Sequence, residues 1–141
     1  MTRGTLILVR GLPGAGKSTF SHMYRNQLIV AGMDVEGPFE ADQYFEDPET
    51  GAYNFDATKL GQAHSQCQEK TRDALQRGAA YVIVSNTFTT ERELTPYTDM
   101  ANQLNYSVIS LVVENRHGNE SIHNVPEEAM DRMRNRFSVK L

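Results

Sequence analysis

Residues 11–18 read Gly-Leu-Pro-Gly-Ala-Gly-Lys-Ser, which matches the phosphate-binding loop pattern G-x-x-x-x-G-K-[S/T] at every fixed position. The apolar and β-branched run Thr5–Val9 precedes this loop and predicts a buried strand, and the residues from Ser18 onward have helical spacing. A phosphate-binding loop requires a strand, then the glycine loop, then a helix, and the sequence provides them in that order. The segment therefore predicts a binding site for a nucleoside triphosphate.

Each part of this loop has a chemical role in binding a triphosphate. Glycines let successive N–H groups point at one phosphate, and the dipole of the following helix adds partial positive charge. Lys17 is expected to reach the β- and γ-phosphates of ATP, and the Ser18 hydroxyl to ligate Mg²⁺. The alternative is a glycine-rich turn without a ligand, which does not explain why Lys17 and Ser18 occupy the fixed positions of the pattern. The predicted ATP-binding residues are Gly11, Leu12, Pro13, Gly14, Ala15, Gly16, Lys17, Ser18 and Thr19.

Composition and charge narrow the class of protein. The chain has 141 residues, 39% of them hydrophobic, which predicts a single domain spanning residues 1–141. Its formal net charge of -4 argues against a processive binder of duplex nucleic acid but allows a local basic groove. The one cysteine excludes an internal disulfide, and no apolar run approaches the length of a membrane span. The N-terminus lacks a signal-peptide core, so we expect a cytoplasmic protein with no membrane partner, in the host cytoplasm if the gene is viral.

Strands and helices are predicted to alternate along the chain. This alternation predicts an α/β fold of the P-loop NTPase class, with a small parallel sheet of about four strands and helices on both faces. In the second helix, residues three or four positions apart are predicted to face the core. They run from Leu60 through His64 to Leu75. The predicted strands are 5–9, 38–41, 81–84 and 106–113, and the predicted helices are 16–31, 56–78, one from about 90 with a capping box from Glu93, and one from 126.

Asp42 is the candidate catalytic carboxylate. It follows the predicted second strand, and the carboxyl ends of parallel strands meet at the reactive edge of such a sheet. A carboxylate there can accept the proton of an attacking hydroxyl during γ-phosphoryl transfer, which is typically worth about 10²–10⁴ in rate. The alternative is that Asp42 caps a turn through Tyr44 and Phe45. Its position favours the general base.

Further segments resemble a known family. They are similar in collinear order, over nearly the whole chain, to the phage-type polynucleotide 5′-hydroxyl kinases. They are more similar to the P-loop kinase-like domains of some mammalian ubiquitin-ligase-binding proteins, an AAA-type ATP-binding group. The resemblance implies ATP- and Mg²⁺-dependent phosphorylation of a nucleic-acid 5′-hydroxyl end, with Asp42 as the base. The segments that carry it, besides the loop, are 41–45, 51–55, 63–64, 85–87, 96–97, 122–126 and 132–133.

Two positions depart from the pattern that the resemblance implies. Phe45 stands where the phage-type enzymes carry an arginine that grips the phosphate of the acceptor. Ser85 and Asn86 stand where an aspartate usually follows the third strand, so they supply no carboxylate to the metal. We therefore expect Ser18, phosphate oxygens and water to complete the Mg²⁺ shell.

The loop at about 114–124 is the predicted lid. Lid arginines stabilise charge in the transition state of the phage-type enzymes, and Arg116 is the one arginine in this loop. Arg116 is therefore the predicted catalytic cation, and a solvated loop arginine is the alternative. Arg132, Arg134 and Arg136 lie on the next helix and are predicted either as surface charge or as a border of the adenine pocket.

Two further groups of residues leave alternatives open. His64 is interpreted as a hydrogen-bonded core histidine, and contact with the acceptor is the alternative. Tyr44, Tyr53 and Phe55 either pin their turn-rich segment to the body, which we favour, or stack on a nucleobase.

Three functions therefore remain possible from the sequence. The first is a polynucleotide or oligonucleotide 5′-hydroxyl kinase. The second is a small-molecule or nucleotide-sugar kinase of toxin-like type, which the acidic charge and Phe45 favour slightly. The third is an ATP-binding module without transfer chemistry. The acceptor is thus either a nucleic-acid 5′ end or a small hydroxyl compound, with ATP as the donor.

Overall fold

Strands alternate with helices along the whole chain, as the sequence predicts. The computed structural model describes residues 2–118 and 124–141. Its elements in chain order are β1 (Gly4–Arg10), α1 (Lys17–Val30), β2 (Val35–Phe39), a 3₁₀ helix (Ala41–Phe45), a 3₁₀ turn (Ala57–Lys59), α2 (Leu60–Arg77), β3 (Tyr81–Asn86), α3 (Glu91–Gln103), β4 (Tyr106–Val112) and α4 (Glu127–Arg136).

The four strands form one parallel sheet in the order β2-β3-β1-β4. Leu6 in β1 is paired with Val82 on one side and with Val108 on the other, so β1 is an inner strand. Parallel neighbours need crossover connections, and the helices supply them. The phosphate-binding loop consequently leaves the sheet between the ends of β3 and β4.

Helices cover both faces of the sheet because side chains alternate along each strand. Ile7, Val9 and Ile83 pack on one side against residues of α1. Leu6 and Leu8 pack on the other side, against residues of α2 and α3. All five of these side chains are at most 1% exposed. The predicted layered α/β architecture is confirmed.

The second strand lies earlier in the chain than predicted. The sequence predicts a strand at 38–41, whereas β2 spans Val35–Phe39 and Ala41 already belongs to the 3₁₀ helix. The chain leaves the strand direction at Glu40, whose carbonyl accepts a hydrogen bond from the Gln43 N–H at 3.2 Å. This bond starts the 3₁₀ helix, so Asp42 lies in a helical turn and not directly at the end of a strand.

The core-facing stripe of α2 is confirmed only from Ala63 onward. Ala63, Cys67 and Leu75 are at most 1% exposed, but Leu60 and His64 are exposed. The prediction of His64 as a core histidine is therefore wrong. The physical reason is that Ala63 packs against Ala41 and Phe45, and the next residue of a helix points about 100° away.

The predicted ends of the helices agree with the structure. The Asp56 carboxylate accepts the Thr58 N–H at 3.0 Å and caps the 3₁₀ turn that leads into α2. Gly78 ends α2 in the left-handed region, with φ 87°. The Glu93 carboxylate accepts the Thr90 N–H at 3.2 Å, which is one half of the predicted capping box of α3.

The end of the chain packs against the reactive edge of the sheet. Arg10, at the end of β1, is 2% exposed and donates hydrogen bonds to the carbonyls of Phe88 and Ser138 at 3.0 and 2.6 Å. Its guanidinium lies 5.0 Å from the centre of the Phe137 ring. The residues after α4 are thereby fixed to the strand that carries the phosphate-binding loop. Across 2–118 and 124–141, none of the helices has the length and apolar character needed to cross a membrane.

Candidate nucleotide-binding and catalytic site

The backbone of the phosphate-binding loop requires its glycines. Gly14 and Gly16 have φ values of 81° and 102°, which side-chain-bearing residues rarely adopt. A Cβ atom on Gly11 would lie 2.7 Å from the Val113 carbonyl oxygen, so no larger residue fits there. Gly11 also donates its N–H to the Thr87 carbonyl at 3.2 Å. The loop is thus held between the ends of β3 and β4.

The first turn of α1 is free of a side-chain cap within the described part of the chain. Gly16 is its N-cap residue and offers no side chain, and no acidic residue stands in the first turn. The N–H groups of Lys17, Ser18 and Thr19 begin this 14-residue helix. An uncapped helix N-terminus binds anions well, because its N–H groups are free to donate and its dipole adds partial positive charge. The predicted loop residues therefore fit a phosphate group.

The Lys17 side chain folds back onto the start of the phosphate-binding loop. Its Nζ atom donates to the Leu12 carbonyl at 3.0 Å. Burial lowers the pKa of Lys17 from 10.5 to about 8, and the nearby carboxylates of Asp42 and Glu40 act in the opposite direction. The ammonium group, the loop backbone and two carboxylates are thus close together at one edge of the sheet.

Glu40 is the site residue that the sequence analysis misses. It lies between β2 and the 3₁₀ helix, and its Oε1 atom accepts a hydrogen bond from the Ser18 hydroxyl at 2.6 Å. The signal in the sequence is an acidic residue two positions before Asp42 at the end of an apolar strand. That signal is weak by itself, because the contact depends on where β2 ends.

Asp42 lies at the start of the 3₁₀ helix, two residues after Glu40. The N-cap residue of this helix is Glu40, so the alternative of Asp42 as its cap is wrong. Asp42 is exposed, and its Oδ1 atom accepts a hydrogen bond from the Tyr53 hydroxyl at 3.2 Å. Burial, together with the Asp42 carboxylate, raises the pKa of Tyr53 to about 12, so Tyr53 remains a hydrogen-bond donor at neutral pH.

Asn86 fixes the segment that carries Asp42. Its Oδ1 atom accepts the Ala41 N–H at 2.9 Å, and its Nδ2 atom lies 3.6 Å from the Cys67 sulfur. Asn86 and Ala41 are 9% and 6% exposed. Asn86 and Ser85 lie at the predicted edge of the sheet, and the amide of Asn86 is used to position the backbone next to Asp42.

Phe45 is part of the core rather than of the site surface. It is 6% exposed, and its ring meets the rings of Tyr44, Tyr53 and Phe55 edge to face, with centres 5.1 to 6.2 Å apart. The Tyr44 hydroxyl also donates to Gln62 on α2 at 2.9 Å. These contacts agree with the favoured interpretation that the aromatic residues pin the 43–55 segment to the body.

The predicted lid approaches the phosphate-binding loop through a histidine. The Nε2 atom of His117 lies 3.3 Å from the Ala15 carbonyl oxygen. The side chain of Arg116 is 85% exposed and its Nε atom pairs with the Glu114 carboxylate at 2.6 Å. The described lid residues are 114–118 and 124, and the resemblance at Ile122 and His123 lies outside the described part of the chain.

The three arginines of α4 are placed differently from one another. Arg136 donates from Nε to the Thr89 hydroxyl at 2.9 Å, next to the reactive edge of the sheet. Arg134 pairs with Asp131 on its own helix at 2.5 Å, and Arg132 is exposed. Of the three, Arg136 lies against the loop that follows β3.

A cavity of about 140 Å³ opens beside the end of β3. Phe88, Pro96 and Tyr97 provide apolar walls, while His64 and Gln68 of α2 provide polar groups. Asn86 also lines it, and its side chain holds the residue before Asp42. Its full lining is His64, Gln68, Asn86, Thr87, Phe88, Glu93, Pro96 and Tyr97, a set without Lys or Arg among the described residues.

Comparison with solved structures shows the fold that this geometry suggests. The kinase CysC of Mycobacterium tuberculosis, an APS kinase in complex with AMPPNP and APS, superposes with a TM-score of 0.57 at 13% identity, covering 94% of this chain and 69% of that one. A chain of the Pnkp1/Rnl/Hen1 complex gives a TM-score of 0.61 at 17% identity, covering 100% of this chain and 41% of that one. The architecture is that of the P-loop kinases.

Sequence comparison provides the family. NEDD4-binding protein 2 of Homo sapiens is 30% identical over 108 residues, which are 74% of this chain and 6% of that protein. The model of an AAA domain family matches residues 6–139, which include the phosphate-binding loop, Glu40 and Asp42. The predicted relation to an AAA-type family is confirmed, and the chain belongs to the AAA domain family.

Proposed function

We propose that this chain is an ATP-dependent phosphotransferase that phosphorylates a hydroxyl group, with the 5′-hydroxyl end of an oligonucleotide or polynucleotide as the acceptor. The observation that carries the proposal is that the segment with Asp42 is held beside the phosphate-binding loop, since Glu40, two residues before Asp42, accepts a hydrogen bond from Ser18 of the loop at 2.6 Å. Residues 1–141 form a single P-loop kinase domain in this proposal, with 114–124 as its lid and a cytoplasmic location.

The proposed reaction uses each residue in a defined role. The loop residues 11–19 hold the β- and γ-phosphates through backbone N–H groups, and Lys17 adds positive charge. The acceptor oxygen bonds to the γ-phosphorus, the bond from that phosphorus to the β,γ-bridging oxygen breaks, and ADP leaves. Asp42 takes the proton of the acceptor hydroxyl, and Arg116 reaches the transferring group when the lid closes. Mg²⁺, held through Ser18, would neutralise charge on the phosphates.

A small neutral acceptor is the second candidate, and two observations favour it. Phe45 is buried in a cluster of aromatic rings, so this position supplies no cation for an acceptor phosphate. The cavity beside Asn86 holds about 140 Å³ and is lined by apolar and neutral polar side chains with one carboxylate, Glu93. Ligand pockets usually hold about 300–1,000 Å³, so a cavity of this smaller size favours a small neutral acceptor such as a sugar ring.

Transfer of label from γ-³²P-ATP tests the proposal. The acceptors are a DNA and an RNA oligonucleotide with a 5′-hydroxyl, the same oligonucleotides with a 5′-phosphate, mononucleosides and sugars. We expect label on the 5′-hydroxyl oligonucleotides and none on their 5′-phosphorylated controls. Label only on nucleosides or sugars would select the second candidate. ATP binding without transfer to any acceptor would favour the non-catalytic ATP-binding module.

The role of Asp42 is tested with Asp42→Asn, which keeps the shape of the side chain and removes the proton acceptor. We expect kcat to fall by at least about 10² while the affinity for ATP stays within a few-fold. Asp73→Asn, at an exposed position on α2, is the matched control and should leave both quantities unchanged. An unchanged kcat in Asp42→Asn would contradict the general-base assignment.

A further inference from the structure

Glu40 places a carboxylate against the hydroxyl that is predicted to bind the metal. Its Oε1 atom accepts a hydrogen bond from Ser18 Oγ at 2.6 Å, a distance typical of a bond to a charged acceptor. The partners belong to different elements, since Ser18 opens α1 and Glu40 follows β2. The contact therefore depends on the tertiary fold and is not a local turn.

The backbone of Glu40 is fixed independently of its carboxylate. Its N–H donates to the Gln43 Oε1 atom and its carbonyl accepts the Gln43 N–H, both at 3.2 Å. The Gln43 amide in turn donates to the Pro38 carbonyl at 2.9 Å. Among residues 2–118 and 124–141, no cationic side chain pairs with Glu40 within 4.0 Å. The Glu40 side chain thus contacts the phosphate-binding loop at Ser18 and also takes part in the capping box of the 3₁₀ helix.

The end of β3, at Ser85 and Asn86, is where the resemblance implies an acidic residue, and it supplies none here. Ser85 is 2% exposed, and the Asn86 amide is engaged with Ala41 and Cys67. Protein sites for Mg²⁺ use oxygen ligands and commonly contain one or two carboxylates beside the phosphates and water. The acidic group of such a site has to come from a neighbouring strand, and Glu40 is the carboxylate bonded to Ser18.

Glu40 and Asp42 face different partners although they are two residues apart. Glu40 contacts Ser18 of the phosphate-binding loop, whereas Asp42 contacts the Tyr53 hydroxyl in the 43–55 segment. Glu40 therefore contacts the phosphate-binding loop through Ser18, and Asp42 is bonded to the 43–55 segment. This separation allows the two acids to serve different steps.

We propose that Glu40 is the protein carboxylate of the Mg²⁺ site, acting on the metal together with the Ser18 hydroxyl, either directly or through a water molecule. This inference rests on the proposed function, since it requires that the loop binds a nucleotide. It assigns the metal to the end of β2 and leaves Asp42 for the acceptor.

Isothermal titration calorimetry with a non-hydrolysable ATP analogue tests this inference. Dissociation constants are measured with excess EDTA and over a series of Mg²⁺ concentrations, for the wild type, Glu40→Gln, Glu40→Asp and the exposed control Glu49→Gln. In Glu40→Gln we expect the apparent affinity for Mg²⁺ to fall about 10–100-fold. Binding in EDTA should become equal or tighter, because a negative charge near the triphosphate is removed. Glu40→Asp should recover part of the Mg²⁺ effect, and Glu49→Gln should match the wild type.

Two results would overturn the inference, and they differ in what else they contradict. If Glu40→Gln binds the analogue with the full Mg²⁺ effect, Glu40 serves only as a partner of Ser18, and the proposed function stands. If the wild type binds no analogue in EDTA or in Mg²⁺, the proposed function fails as well. Electron paramagnetic resonance of Mn²⁺ in the nucleotide complex gives a second readout, because exchanging a carboxylate for a neutral amide at the metal changes the Mn²⁺ spectrum even where the affinity changes little. An unaltered spectrum in Glu40→Gln would also count against the inference.

Discussion

Replacement of Asn86 by alanine should reduce both stability and catalysis. In the folded protein its Oδ1 atom accepts the Ala41 N–H at 2.9 Å. With Asn86 and Ala41 at 9% and 6% exposure, water has poor access to the freed N–H group. An unsatisfied buried donor costs about 1–3 kcal/mol. For a domain of this size that cost lowers Tm by about 3–10 °C.

The effect on catalysis follows from the position of Ala41, which directly precedes Asp42. A displacement of a catalytic group by about 1 Å can reduce the rate by about 10²-fold. We therefore expect a fall in kcat of at least about tenfold in molecules that remain folded, with the affinity for ATP changed by less than a few-fold. The loss of kcat should exceed the loss expected from the unfolded fraction alone.

Urea denaturation followed by circular dichroism measures the stability, and transfer of labelled phosphate measures the activity. Asn102→Ala is the matched control, because it makes the same change at an exposed position of α3. The reasoning is refuted if Asn86→Ala unfolds within about 0.5 kcal/mol of the control, which is the range of ordinary surface substitutions. It is also refuted if kcat per folded molecule is unchanged.

Two further predictions concern the cations of the site. The pKa of Lys17 is lowered to about 8, so its amine is protonated below that pH and loses its charge above it. The affinity for ATP should therefore fall as the pH rises through about 8. Calorimetry at pH 9 in buffers of different ionisation enthalpy should show that ATP binding is accompanied by proton uptake. A constant affinity between pH 7 and 9.5 would contradict this. Arg116→Ala should lower kcat more than it raises KM for ATP, and Arg116→Lys should recover only part of the loss because it lacks the planar fork. Equal activity of Arg116→Ala and the wild type would move the role to Arg132, Arg134 or Arg136.

The parts of the fold that the sequence predicted are those determined by residues close together in the chain. The phosphate-binding loop is a contiguous pattern, and its glycines are required by backbone conformations that the sequence alone implies. The strands β1 and β3 are apolar runs buried on both faces, so their signal is strong. The caps at Asp56 and Gly78 use neighbouring residues. Each of these features is decided within a few positions of the chain.

The parts that the sequence did not predict depend on contacts between distant residues. The Ser18–Glu40 bond requires β2 to end at Phe39, and the boundary of a short strand is poorly marked by its composition. The bond from Ala41 to Asn86 joins two segments far apart in the chain. His64 is exposed because its neighbour Ala63 is the residue that packs on Phe45. The hydrophobic periodicity of the whole helix does not show which of two adjacent residues faces the core.

The pairing of β1 has a consequence for how the protein folds during synthesis. Residue 5 is paired with residue 81, and residue 4 with residue 106, so the strand before the phosphate-binding loop has no partner in the sheet until β3 has been made. Parallel pairing between distant segments is slow, because the chain loses the entropy of closing a long loop before the stabilising contacts form. Of the four described strands, β1 comes first in the chain but is fully paired only after β3 and β4 have formed. A truncated chain ending before β3 should be prone to aggregation through this exposed apolar segment.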